Sequence, residues 1–359
     1  MKTLELCAGV VVVGGLWLGV SCSDDETSST TTSGTGGSGN SSAGGAGGGA
    51  SSTSSGTGGS GGMIIDAGPP PFPNGNIYVA GSRNAEVFEF DSNLSFVSKW
   101  HHTAFGTIEP APGQPLSNGP AGMVFDESGY LVVAAVDQLC VFSAPDELLA
   151  CHPKIASQPT ENIIFDLAGN LYTTTSTGGT DEVHKYNSSY THLETFTMPT
   201  GNLTGVTCDT SGDVYFASQL GGGSSAIYKV DGGDMSNVLD TIAITGTIEG
   251  LQMAADGNIL VALGAGAGIL RVQPSSPTVV VDSFTHASLF WAVPLTIDNA
   301  GNIYTADYET GSGSEPADLF VFDSTGTPIA TALPSDIYGP FGMVVAGAVL
   351  PCGAYQPPR

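Results

Sequence analysis

Two glutamates are the residues best placed for chemistry. Glu161 and Glu249 each stand immediately before an apolar run, in ENIIFD and EGLQMA. With the amide of Asn162 they supply hard oxygen donors of the kind Ca²⁺ takes in its flexible coordination. The alternative is that both are solvated loop residues. The matching positions elsewhere hold Ala121, Thr204, Val293 and Phe341, so the donor set is incomplete as it stands. A second group suits ligand binding: Arg83, His101, Thr204, Trp291, Asp307 and Tyr308. Histidine can act as a base or a metal ligand near neutral pH, but His101 and His102 are adjacent, and neighbours on a strand point to opposite faces. Trp291, in SLFWAV, is either a stacking platform for a sugar or a core residue. The segment 307–318, DYETGSGSEPAD, is acidic but lacks the ligand spacing of an EF-hand. No GxSxG elbow, P-loop or dinucleotide fingerprint occurs in a strand–helix context, and there is no CxxC spacing for zinc.

These residues are positioned by a repeat. MVFDESGYLVVAA from Met123, IIFDLAGNLYTTT from Ile163, VTCDTSGDVYFAS from Val206, LQMAADGNILVAL from Leu251 and LTIDNAGNIYTAD from Leu295 all read apolar strand, acidic-glycine turn, apolar strand. The β-branched and aromatic runs suit pleated, buried strands, and the glycine supplies a turn position of positive φ. The acidic residues of these turns (Asp126, Asp166, Asp209, Asp298) are hairpin punctuation. The turn glycines Gly129, Gly169, Gly212, Gly257 and Gly301 recur at roughly 40–45 residues, a period typical of propellers and solenoids. Third strands follow (QLCVFSA, EVHKYNS, AIYKVDG, GILRVQP, DLFVFDS), then fourth strands such as ELLACH, HLETFTM and PTVVVDS. Four strands per repeat and no 3.6-residue stripes predict an all-β, six-bladed propeller over residues 74–350. The sixth blade is split. NIYVAGS, EVFEFDS and FVSKW supply three strands near the start, and GPFGMVV near the end repeats GPAGMVF and supplies the fourth. That pairing closes the ring and leaves no open sheet edge.

The 359 residues hold 8 Lys and Arg against 34 Asp and Glu, a formal charge of −26, which rules against nucleic acid as a partner. An anionic lipid surface is disfavoured for the same reason. A protein, glycan or small molecule remains, bound by a monomer. Residues 1–22 read as an export signal, with an apolar run too short for a confident membrane span. Residues 23–73 form a Gly/Ser/Thr-rich tether with a Pro-rich lead-in, unable to bury enough apolar surface to fold. Residues 351–359 are a tail. Cys140 and Cys151 fall opposite each other when CVFSAPDELLAC folds about Pro145-Asp146, and a disulfide there competes with two buried thiols. A two-residue turn would put the pair at a hydrogen-bonded site, a less comfortable geometry. Cys208 reads as buried and inert, and Cys352 has no evident partner.

Two resemblances follow. Leu18-Gly19-Val20-Ser21-Cys22 resembles a bacterial lipobox, with Gly19 where an aliphatic residue is usual; it implies lipidation at Cys22 and an envelope anchor, by the serine at position 23 on the outer membrane. A plain cleaved signal, and secretion, is the other outcome. The repeats resemble the gluconolactonase/regucalcin and NHL-repeat propellers across the whole globular part. Enzymes of that kind hold a metal with Glu, Asn and Asp side chains at the channel mouth, where a water attacks a lactone. Glu161, Asn162 and Glu249 match in kind, and Ala121, Thr204, Val293 and Phe341 do not. Two functions are therefore expected: a surface-tethered binding module, or a Ca²⁺-type lactone or ester hydrolase.

Overall fold

In a computed structural model, residues 72–106, 119–135, 137–155, 160–175, 181–198, 201–266, 268–308, 316–334, 336–350 and 352–354 are described. The signal, Cys22 and residues 23–71 lie outside them; Phe72, expected in the unfolded lead-in, is instead buried against Tyr78 and Phe125, because its ring fills the core between the first two blades. The alternating runs become six four-stranded antiparallel sheets. The first sheet contains β1 (Ile77–Gly81), β2 (Glu86–Phe90) and β3 (Phe96–Trp100); the second β4 (Met123–Phe125), β5 (Leu131–Ala134), β6 (Gln138–Ala144) and β7 (Glu147–Pro153). The third has β8 (Thr160–Phe165), β9 (Leu171–Thr175), β10 (Glu182–Tyr186) and β11 (His192–Thr197). The fourth has β12 (Asn202–Cys208), β13 (Val214–Gly221), β14 (Ser224–Asp231) and β15 (Asp234–Thr245). The fifth has β16 (Ile248–Met253), β17 (Ile259–Leu263), β18 (Gly268–Val272) and β19 (Val280–Phe284); the sixth β20 (Ala292–Ile297), β21 (Ile303–Asp307), β22 (Leu319–Phe322) and β23 (Pro328–Ala332). Strand β24 (Pro340–Val345) joins the first sheet, giving the order β24-β1-β2-β3. The expected six-bladed propeller, closed by a C-terminal strand in the N-terminal blade, is the observed fold. A 3-10 turn at Thr103–Phe105 is the one helical element among the described residues.

The turn chemistry is local. Asp166 Oδ1 accepts from the amides of Ala168 and Asn170, while Oδ2 accepts from Asn170 Nδ2 and the Tyr172 hydroxyl. Asp298 repeats this with Tyr304, and Asp209 pins Tyr215 at 2.9 Å. Gly301 sits at φ +82°, which no β-branched residue would tolerate cheaply. Between blades the innermost strands approach closely: a Cβ at Gly342 would lie 1.9 Å from the Ala121 carbonyl oxygen.

The innermost strands surround a channel whose turn-side end is covered. Val124, Ile164, Thr207, Gln252, Thr296 and Val344, one from each inner strand, line a small cavity there with Ala348, Leu350 and Cys352 of the tail. The tail forms a two-stranded hairpin, β25 (Val349–Leu350) and β26 (Gly353–Ala354). Asn299 holds it, its side chain bonding Val349 N and Gly347 O at 2.7 and 2.8 Å. Cys352 is disulfide-bonded to Cys208 across 144 residues. This corrects the expectation that Cys208 is inert and Cys352 unpartnered: the tail doubles back under the channel and brings the two thiols together. Cys140 and Cys151 are also bonded, at 2.06 Å. Their Cα atoms are only 4.1 Å apart, the close spacing of a non-hydrogen-bonded pair, because two irregularities interrupt the β6–β7 register between them and the turn.

Candidate functional site

Five inner strands share a defect near their start. The register slips between Thr160 and Ile163 in β8, Leu203 and Gly205 in β12, Ile248 and Gly250 in β16, and Ala292 and Leu295 in β20; in β24 it slips where Pro340 and Gly342 pair with β1. The residues left without partners are Glu161 and Asn162, Thr204, Glu249, Val293 and Pro294, and Phe341. A bulge frees a side chain from the pleat and re-aims it. Here the freed residues converge. Asn162, Thr204, Glu249, Val293 and Phe341 line a cavity of about 330 Å³ at the open end of the channel, with Asn202, Gln219, Thr247, Trp291 and Tyr308.

Most of the candidate residues therefore meet in one place. Asn162, Thr204, Glu249, Trp291 and Tyr308 are on the wall. Arg83 contacts Tyr308, with Nη2 on the phenol oxygen at 3.0 Å and its guanidinium carbon 5.7 Å from the ring centroid. Asp307 is not on the wall. Its Oδ1 accepts the Trp291 backbone N–H at 2.6 Å, so it positions the tryptophan. His101 is not on the wall either; its Nδ1 donates to the Ala85 carbonyl at 2.6 Å. Glu161 begins the bulge in β8, and its side chain lies outside the described residues. Asn202, Gln219 and Thr247 were not singled out from sequence. Asn202 opens β12 and Thr247 immediately precedes β16, ahead of the recurring part of the repeat, and Gln219 lies in an extension of β13.

Three side-chain donors of this wall are given to backbone carbonyls. Asn162 Nδ2 donates to the Thr204 carbonyl at 2.9 Å. Thr204 Oγ1 and Gln219 Nε2 both donate to the Ile248 carbonyl, at 2.8 and 2.9 Å. What stays open is acceptor capacity, chiefly the carboxyl of Glu249. Its Oε1 is buried without a well-formed hydrogen bond among the described residues. Burial pushes the Glu249 pKa up to about 7, and the adjacent Trp291 indole and Gln219 amide pull it only partly back. Asp307 is likewise raised by burial, against the pull of the Trp291 amide.

The Glu249 shift has a sign. The folded state holds this proton more tightly than an ordinary carboxyl near 4.5 does, so its contribution to stability is full below that value and is lost as pH rises through about 7. The change is about 3 kcal/mol. Denaturant titrations at several pH values should show the decline in the wild type and a flatter profile in Glu249→Gln. Parallel profiles would remove the burial argument.

A calcium centre is a poor fit to the described donors. Ca²⁺ takes six to eight oxygens, several of them from carboxylates, whereas the described wall offers a single carboxylate. Among the described residues no three His, Cys, Asp or Glu side chains come together to hold a metal.

No protein-family model matches the sequence, and no curated protein matches it. Solved structures do match. A protein of unknown function from Bacteroides caccae superposes with a TM-score of 0.57 at 13% identity, covering 76% of this chain and 98% of that one. A nidogen/laminin complex gives 0.54 at 14% identity, over 76% and 98%. A streptogramin B lyase gives 0.53 at 13% identity, over 80% and 93%. At such identities the likeness is one of fold: this chain is a six-bladed β-propeller.

Proposed function

We propose that this protein is an exported binding module that takes a small ligand at the mouth of a channel closed at its other end. The observation that carries the reading is the convergence of bulge residues from five inner strands on one cavity. Bulges that recur at equivalent places in a repeat and aim at a common point are features of a site rather than faults of pairing. The cavity is at the small end of ligand pockets and mixes aromatic with polar walls, as such pockets do. Export is supported by the signal-like residues 1–22 and by two disulfides, which suit an oxidising compartment. Lipidation at Cys22 would hold the propeller at the cell envelope, as a multi-chain anchor does.

The test is a thermal-shift screen of sugars, amines and small acids against the wild type and Trp291→Ala. A ligand that binds only the folded state must raise the melting temperature. The expected result is a shift in the wild type that the variant loses. Shifts of equal size in both, or none at millimolar ligand, overturn the reading.

A metal-dependent lactone or ester hydrolase is the second reading, favoured by the shared position of Asn162 and Glu249 on the wall. Lactone hydrolysis that is present and abolished by a chelator would move the assignment to it.

A further inference from the structure

We infer that the ligand of the channel mouth is a small organic ammonium compound, its charged nitrogen seated against Glu249 and its carbon skeleton against the rings of Trp291, Tyr308 and Phe341. This rests on the binding reading above and narrows it to a chemical class. Three features of the wall lead to it. First, Glu249 Oε1 is a buried acceptor with no well-formed partner among the described residues. An unsatisfied buried acceptor is costly, and a ligand that donates to it relieves the cost. Second, Asn162, Thr204 and Gln219 each give a side-chain donor to a backbone carbonyl, and no charged donor stands among the described lining residues. An ammonium group is the complementary case, with three donors and no acceptor. Third, three aromatic side chains share the cavity with the carboxyl, and Tyr308 and Phe341 have ring centroids 5.2 Å apart. Ring faces attract cations most strongly where water is excluded.

The wall also argues against other charges. None of the ten described lining residues is Lys, Arg or His, and the chain carries a formal charge of −26. An anionic ligand would meet a carboxyl and no counter-charge. Among the described residues, Arg83 is the one cation shown in contact with the wall, and its Nη2 is engaged by the Tyr308 phenol oxygen. That contact shows one ring of the set already attracting a guanidinium. A metal cation competes for the same carboxyl, but it takes several carboxylates where the described wall supplies one. The cavity, at about 330 Å³, has room for on the order of ten to fifteen non-hydrogen atoms.

Glucosamine and glucose test the charge in isolation, because they differ only in an ammonium for a hydroxyl once the amine is protonated. Binding is followed through Trp291 fluorescence in a Trp17→Phe, Trp100→Phe background and by calorimetry, from slightly acidic to slightly alkaline pH, and it is expected to strengthen as Glu249 ionises near 7. Glucosamine is expected to bind at least ten-fold more tightly than glucose, and Glu249→Gln, which keeps the shape of the side chain, is expected to erase that difference. Ethanolamine and benzylamine extend the test to other skeletons. If glucose and glucosamine bind equally, the ammonium inference fails and the binding reading stands. If Ca²⁺ binds and none of the amines does, the inference fails in favour of the metal reading. If all three amines fail and Ca²⁺ does too, the inference is overturned, and the thermal-shift screen against Trp291→Ala decides separately whether the cavity reading falls with it.

Discussion

A chain cut before Pro340 should show no cooperative unfolding transition. Strand β24 is the only partner of β1 on its inner side, with Ile77 opposite Val345 and Val79 opposite Met343. Its side chains are deeply placed: Met343, Val344 and Val345 are no more than 5% exposed. Burying three such residues stabilises by roughly 5–9 kcal/mol, comparable with the 5–15 kcal/mol that holds a whole domain together. The cut also bares the inner edge of β1, whose Ile77 and Val79 are fully buried in the intact ring. Circular dichroism through a thermal ramp, with size-exclusion chromatography, measures this. A truncated chain that melts within a few degrees of the intact one would mean that the ring does not depend on its closing strand.

Replacing both Cys208 and Cys352 by serine should lower stability by about 5 kcal/mol, more than the same change at Cys140 and Cys151. The first pair spans 144 residues and the second 11. In the chain-entropy account a cross-link restrains the unfolded state more as its loop lengthens, giving about 5 kcal/mol for the long loop and about 3 kcal/mol for the short one. Guanidinium midpoints of the two double variants, measured without reductant, provide the comparison. A larger loss from the short pair would show that strain or local packing, rather than loop length, sets the contribution of each bond. The serine pair leaves β24 intact, so it separates the effect of the tail from that of ring closure.

The blades were legible because each signal is local. A strand with a two-residue period, an Asp that caps its own turn and a glycine at positive φ recur within about fifteen residues, and nothing distant is needed to read them. Even the split blade could be found, since GPFGMVV copies GPAGMVF. The starts of the inner strands were not legible. Sequence placed them at Ile163, Val206, Leu251 and Leu295, whereas the strands begin at Thr160, Asn202, Ile248 and Ala292. The bulges explain the difference: an extra residue breaks the alternation that marks a strand, and the residues before it fall out of pattern. Those out-of-pattern residues are the ones on the cavity wall. Glu249 and Thr204 were noticed as residues beside a repeat, but Asn202 and Thr247 were hidden by the same interruption. The Cys208–Cys352 pairing was hidden for a different reason, since its partners approach only after the ring has closed and the tail has folded back beneath it.

The covered end of the channel, with Ala348, Leu350 and Cys352 beneath the inner strands, limits what the ring can do. A tube open at both ends can pass a molecule from one side to the other, and a late arrival can push an early one out. Among the described residues, the tail lies across one end and the doorway at Trp291 and Phe341 is left at the other. Whatever goes in past Trp291 and Phe341 must turn back and leave by the same way, so arrival and departure compete for one threshold. The architecture suits holding and presenting a guest, and it is ill suited to conducting one.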